Sequence, residues 1–311
     1  MGKQIREVTS PEMLKKSAKI GKMLSGSAGG NSGSSKLTLY LIRYAIGKLY
    51  RSIPKSSGVK FGKRVLGGTG AITAKCMEGD KSPDIMVYIH GGAFISGSAA
   101  SSKGYISSLA RYSGCRVFSL DYTLSPEVKY PYALEECIDA VKTIIKENPD
   151  SDITLVGDSA GANLCLAVAL KMKDRISCVI LHSPVIDFSD TIDRAKYNKD
   201  SIVVKKGLRS AFEKLYFEGH DPEDPMISPY FGDYEGFPPV FITCDVDEGL
   251  YADGLAVYEK CGACGIRAEM VAMKGAFHAF AVMGDSTPET KELMKDYIAF
   301  MKTEKRSVSP R

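Results

Sequence analysis

The 311-residue chain has no run able to serve as an export signal or a membrane span. Its opening, MGKQIREVTS, has no apolar core of the kind a secretory signal needs. The most apolar N-terminal stretch, Leu37 to Tyr50, is too short to cross a bilayer and carries Arg43 and Lys48 within it. Gly2 is not followed by the Ser or Thr that myristoylation wants, because Arg6 stands there. The eight cysteines, at positions 76, 115, 137, 165, 178, 244, 261 and 264, follow no disulfide framework. Cys261-Gly-Ala-Cys264 has no second pair to complete a zinc site. No internal repeat is present. A chain of this length can bury a full core without crosslinks or structural metal. These absences lead us to expect a cytoplasmic protein in a reducing compartment.

Charge is present but unevenly spread. The net charge of +4 is too small to suggest nucleic acid as a partner. Residues 1–66 nevertheless hold 14 Lys and Arg against Glu7 and Glu12, a local net of +12, which leaves −8 on the remainder. The N-terminal residues read as two helices joined by a flexible link. In Pro11 to Leu24, Met13, Ile20 and Leu24 fall on one side, with Lys15, Lys16, Lys19 and Lys22 around the rest. Ser25 to Ser35 is rich in Gly and Ser. Leu37, Tyr40, Leu41, Tyr44, Ala45 and Leu49 then recur at helical spacing. The simpler reading is an arm that covers part of the main domain, lysines in water. A basic amphipathic arm also suits peripheral contact with an anionic membrane.

From about residue 60, strands alternate with helices. Strands are expected at Ala71–Cys76, Ile85–Ile89, Arg116–Leu120, Ile153–Val156, Cys178–Leu181, Val240–Thr243 and Ala268–Met273. Helices are expected near Ser101–Tyr112, Leu134–Glu147, Ala160–Met172, Gly254–Cys261 and Pro288–Lys302. The strands from Ile85 onward are short and apolar on both faces, as in a buried parallel sheet. An α/β fold follows, with helices on both faces and reactive groups at the C-terminal ends of the strands. The alternation breaks for nearly sixty residues between Leu181 and Val240, where Ile202–Phe217 looks helical. An insertion of that size after a strand suits a lid over a site.

The strongest chemical signal is Gly157-Asp158-Ser159-Ala160-Gly161, between an expected strand and an expected helix. A serine on such a sharp turn is a nucleophile elbow, and the helix N-terminus turns the amide of Ala160 toward a developing oxyanion. A second signal, His90-Gly91-Gly92-Ala93-Phe94, follows the strand Ile85–Ile89 directly. Its small residues let Gly91, Gly92 and Ala93 present amides as further oxyanion donors. Four histidines leave few choices of base. His90 shapes its own loop, His182 follows a central strand from which it can border the pocket, and His220 lies in the acidic insertion, solvated. His278 follows the last strand and is the expected base. The orienting acid should follow the strand Val240–Thr243. Asp245, Asp247, Glu248 and Asp253 all compete there; strand-end geometry favours the first two and does not separate them.

HGGAF, the stretch Asp121 to Glu127, GDSAG, the segment 245–253 and the final FHAF together resemble the hormone-sensitive-lipase branch of the α/β-hydrolases. Order and spacing agree from about residue 60 to residue 302. The resemblance implies an α/β-hydrolase fold with a helical cap. Residues 1–55 and an insertion at about 187–235 would form the cap, 56–302 the catalytic domain and 303–311 a flexible tail. It places the acid at Asp247, giving a triad of Ser159, Asp247 and His278 with Gly91, Gly92, Ala93 and Ala160 as oxyanion hole. Three departures are mild: Ala93 for a third glycine, Ala162 after GDSAG, and Thr123-Leu124-Ser125 for the usual Arg-Leu-Ala. The implied activity is hydrolysis of short- to medium-chain carboxylic esters of small molecules, without metal or organic cofactor. An amidase or deacetylase would use the same machinery, and the plant gibberellin receptors resemble the same branch but lack the histidine. A homodimer is compatible with this reading.

Overall fold

The computed structural model describes residues 2–27, 36–79, 81–197 and 208–303, and the side chains of these except residues 21–27 and 211. Most of the expected Gly/Ser link, the first part of the expected helix at Ile202–Phe217, the tail beyond residue 303 and the side chain of Leu24 lie outside them.

The core is one nine-stranded sheet in the spatial order β1-β9-β8-β7-β6-β4-β5-β3-β2. Its strands are β1 (Lys3–Glu7), β2 (Val59–Leu66), β3 (Thr69–Cys76), β4 (Ile85–Ile89), β5 (Arg116–Asp121), β6 (Ile153–Asp158), β7 (Cys178–His182), β8 (Val240–Asp245) and β9 (Ala268–Lys274). From β1 to β5 every pairing is parallel; β3 is antiparallel to both β5 and β2. Among the described residues the α-helices are α1 (Pro11–Ser27), α2 (Lys36–Arg51), α3 (Lys103–Ser113), α4 (Tyr132–Glu147), α5 (Ala160–Lys171), α6 (Leu208–Phe212), α7 (Tyr251–Ala263) and α8 (Pro288–Thr303).

Side-chain alternation along the strands feeds two apolar layers. Ile85, Val87 and Ile89 of β4 pack with α4, α5 and α7 on one face. Met86 and Tyr88 pack with α3, α8 and Met13 of α1 on the other. With both faces covered, β4, β6, β7 and β8 are buried from end to end, which is why each reads as a mainly apolar run.

The sheet extends beyond expectation at both edges. β2 was not foreseen, and neither was β1, which turns the two-helix arm into strand, helix, helix. Lys3 to Glu7 pairs in parallel with Met270 to Lys274. KQIRE has a single apolar residue, and Ile5 is exposed. Backbone pairing holds this strand, so no apolar run announces it. The start of α1 is tied down as well. Ser10 Oγ accepts the Met13 amide at 3.2 Å, as an N-cap does, and donates to Glu289 Oε2 of α8 at 2.6 Å.

The insertion after β7 is fixed through buried polar groups. Asn163 of α5 donates to the carbonyls of Val185 and Ile227 at 3.0 and 2.9 Å. Arg194 forks onto Asp253 of α7, with Nε 2.7 Å from Oδ2 and Nη2 2.8 Å from Oδ1, and also donates to the Asp187 carbonyl. Asp253, one of the four competing acids, is therefore a fully buried anchor for the insertion. Replacing Arg194 with Met would strand that carboxylate without its cation. Denaturant unfolding of Arg194→Met is expected to show a loss of about 3–5 kcal/mol relative to wild type.

Candidate active site

Between β6 and α5 the chain turns at Ser159 with φ 52° and ψ −118°, a strained conformation for a residue with a side chain. Its flanking glycines are required by contact. A Cβ on Gly161 would stand 2.1 Å from the Ile89 carbonyl oxygen, and one on Gly157 would stand 2.6 Å from that of Gly161. The Ser159 amide donates to the His182 carbonyl at 2.9 Å, locking the turn onto β7. Ala160, as the first residue of α5, has an amide without an intrahelical acceptor.

The loop after β4 wraps over this turn. Gly91 departs from expectation: its amide donates to Asp158 Oδ1 at 2.9 Å, so this donor is already committed to a carboxylate. A Cβ there would lie 2.3 Å from Asp158 Oδ2, so the glycine serves close approach. Gly92 and Ala93 follow at φ 120° and 57° and do line the cavity. Tyr88 donates to Asp158 Oδ1 at 2.5 Å, and Tyr50 of α2 donates to Oδ2. His90 shapes the loop, its Nδ1 2.8 Å from the Gly91 carbonyl and its ring stacked on Tyr122.

His278 stands after β9 and shares the cavity with Ser159. Its Nδ1 lies 2.6 Å from Glu248 Oε2. The expected acid, Asp247, is one residue away from this contact. Beyond β8 the chain turns tightly, with the Asp247 amide donating to Asp245 Oδ1 at 2.9 Å. That turn leaves Asp247 half-buried and carries Glu248 inward beneath the imidazole. Glu248 Oε1 also accepts the Asp245 amide at 3.0 Å and the Ser183 hydroxyl at 2.5 Å. Spacing does not distinguish neighbours within one turn, and the longer side chain reaches. The roles of Asp158, Tyr50 and Ser183 had no signal of their own, although Asp158 lies inside GDSAG and Ser183 directly follows β7.

The other histidines stand apart. His182 does not border the cavity: it is fully buried, with Nε2 2.6 Å from the Tyr105 hydroxyl and Nδ1 2.9 Å from Thr243 Oγ1. Burial pushes its pKa down to about 3, so it stays neutral. His220 is exposed, its ring edge-on to Tyr130.

The cavity holds about 200 Å³. Its walls are mostly apolar. Ile20, Ile46, Leu49 and Ile53 come from the N-terminal arm, and Leu208 and Phe212 from the insertion. Phe94 joins loop to insertion, stacked on Tyr216 with ring centres 3.7 Å apart. A hydroxyl on a strained turn, an imidazole with its far nitrogen held by a carboxylate, and amides of Gly92, Ala93 and Ala160 around one mostly apolar cavity are the parts acyl transfer needs.

Comparison with known proteins agrees with this geometry. Residues 86–282 match a family described by its alpha/beta hydrolase fold. The chain belongs to that family. An esterase of Acinetobacter venetianus is 27% identical over 266 residues, covering 83% of this chain and 87% of that protein. An acetyl esterase of Salmonella schwarzengrund is 31% identical over 213 residues, covering 64% and 66%. Among solved structures, a hormone-sensitive lipase from a metagenome library superposes with TM-score 0.81 at 26% identity over 93% of this chain and 98% of that one. An esterase of the bacterial hormone-sensitive lipase family gives 0.82 at 25% identity over 96% and 99%. The α/β-hydrolase chain described here falls in the hormone-sensitive-lipase-like branch, and its activity class is serine ester hydrolysis.

Burial alone would lower the His278 pKa, but the charge and hydrogen bond of Glu248, with Asp158 and Asp245 beyond, outweigh it and hold the pKa above 6.5. Because the folded state favours the protonated ring, the resulting stabilisation is full below pH 6.5 and fades as pH rises through the folded value. A base must be neutral to act, so the acid limb of kcat/KM should sit above pH 6.5. NMR titration of the His278 ring is expected to show that raised value in wild type and a lower one in Glu248→Gln.

Proposed function

We propose that the protein hydrolyses carboxylic esters of short to medium acyl chains through an acyl-enzyme. Ser159 Oγ attacks the acyl carbon while His278 Nε2 takes its proton. The same proton then passes to the leaving alcohol, and water, activated by His278, releases the acid. Glu248 accepts from Nδ1–H, which fixes the tautomer and stabilises the imidazolium that forms. The amides of Gly92, Ala93 and Ala160 receive the oxyanion. Residues 1–55 and the 187–235 insertion act as a cap, and the apolar side chains that they place in the cavity wall, Ile20, Ile46, Leu49, Ile53, Leu208 and Phe212, select the acyl group. No step calls on a cofactor.

The observation that carries this reading is the Glu248–His278 pair facing the cavity that Ser159 enters at φ 52°. A protein that only binds its ligand has no use for a tautomer held by a buried carboxylate or a serine held in strain. The cavity's size and apolar walls suit a chain of a few carbons better than a bulky or charged acyl group.

Hydrolysis of p-nitrophenyl esters from acetate to laurate is expected to peak at butyrate or hexanoate. Ser159→Ala, if folded, should lose at least about a thousandfold. Equal inertness of the two folded proteins would overturn the ester reading. The acid is tested separately: Glu248→Gln should lower kcat by about 10³–10⁴, and Asp247→Asn should stay within about tenfold of wild type. The reverse ranking would return the role to Asp247.

A further inference from the structure

Helix α2 is apolar on two opposite faces. Its inner face, through Ile46, Leu49 and Tyr50, lines the cavity. On its outer face Leu37, Tyr40, Leu41 and Tyr44 are 67%, 65%, 55% and 53% exposed. Their spacing of three, four and seven residues puts them in one stripe. The other exposed large hydrophobics of the described residues, Ile5, Leu14, Val65, Met77 and Tyr132, are scattered over different elements. Single exposed apolar residues are ordinary, whereas four in line form a patch that marks a contact surface.

Charge says what covers it. α2 carries Lys36, Arg43, Lys48 and Arg51 and no acid. Arg43 is committed inward, to Glu127 and to the carbonyls of Ser125 and Ile95. Lys48 and Arg51 are exposed and continue the stripe at the same spacing, with Lys48 Nζ 6.0 Å from the centre of the Tyr44 ring. On α1, Leu14 is half-exposed between exposed Glu12 and exposed Lys15 and Lys19. A second copy docking on this face would bring one arm of net charge +9, residues 1–55, against another. Leucines and tyrosines in line, ended by cations on long apolar stems, match a helix lying in a lipid headgroup region.

We propose that the outer face of α2 docks on an anionic lipid surface, with Leu37, Tyr40, Leu41 and Tyr44 entering the headgroup layer and Lys36, Lys48 and Arg51 pairing with lipid phosphates. Docking brings the cavity wall formed by the same helix to the surface in which apolar esters dissolve. The binding itself does not depend on the ester-hydrolase reading.

The test is co-sedimentation of the full chain with vesicles of equal parts phosphatidylglycerol and phosphatidylcholine, against pure phosphatidylcholine. The protein is expected to pellet with the anionic vesicles only and to be released by high salt. A variant combining Leu37→Ser, Leu41→Ser and Tyr44→Ser should bind at least about tenfold more weakly. Hydrolysis of soluble p-nitrophenyl acetate should not change in that variant, since none of the three residues lines the cavity. Absence of wild-type binding, or equal binding by the variant, would overturn the proposal. So would a wild-type dimer in sedimentation velocity that the variant converts to monomer without either binding lipid, which would assign the stripe to a second copy.

Discussion

A fully buried carboxylate, that of Asp158, stands immediately before the nucleophile, and the site is arranged around satisfying it. An anion taken out of water and left unpaired costs several kcal/mol, so its partners are strongly held. They come from three layers: Tyr88 from the sheet, the Gly91 amide from the loop above it, and Tyr50 from the N-terminal arm. By drawing Gly91 in, Asp158 sets the path of the loop and turns Gly92 and Ala93 toward the cavity. By holding Tyr50, it docks α2 as a wall of the same cavity. The conformation of one loop and the placement of one helix thus share a cause.

The rest of the cap is fastened by different means. Phe94 of the loop meets Tyr216, Phe188 and Phe212 around the insertion, an apolar cluster in which stacking adds to burial. Arg194 and Asp253 tie the insertion to α7, and β1 and the Ser10–Glu289 contact tie the arm to the far edge of the sheet. The arm is attached near its start through β1 and Ser10 and near its end through Arg43 and Tyr50. It behaves as part of the sheet's architecture, which a reading based on its basic composition alone does not suggest.

What the sequence disclosed follows from what each signal depends on. The buried strands and the GDSAG and HGGAF turns were legible because an apolar run or an obligatory glycine is a local requirement. β1 was not, since an edge strand held by backbone bonds needs no apolar side chains. The fate of the Gly91 amide was also illegible: a glycine reports that something comes close, and only the structure reveals that it is Asp158. The choice between Asp247 and Glu248 turned on the direction of one tight turn, which residue types alone leave open. Tyr50 meets a carboxylate 108 residues away, and no local pattern encodes that.

Glutamate in this position also explains the shape of the wall behind the imidazole. Glu248 Oε1 is held by the Asp245 amide and the Ser183 hydroxyl, which leaves Oε2 for His278. Ser183 Oγ in turn accepts the amide of Ala279 at 2.9 Å. Ser183 and Ala279 both sit at positive φ, 47° and 56°, conformations that cost residues with side chains and persist where surrounding bonds over-determine them. The ring therefore closes from Glu248 through Ser183 to Ala279 and back along the chain to His278. The imidazole is fixed by its own hydrogen bond and by the backbone of its neighbour at once. An added methylene makes glutamate a looser arm than aspartate, and this second tether supplies the constraint that the longer side chain gives up.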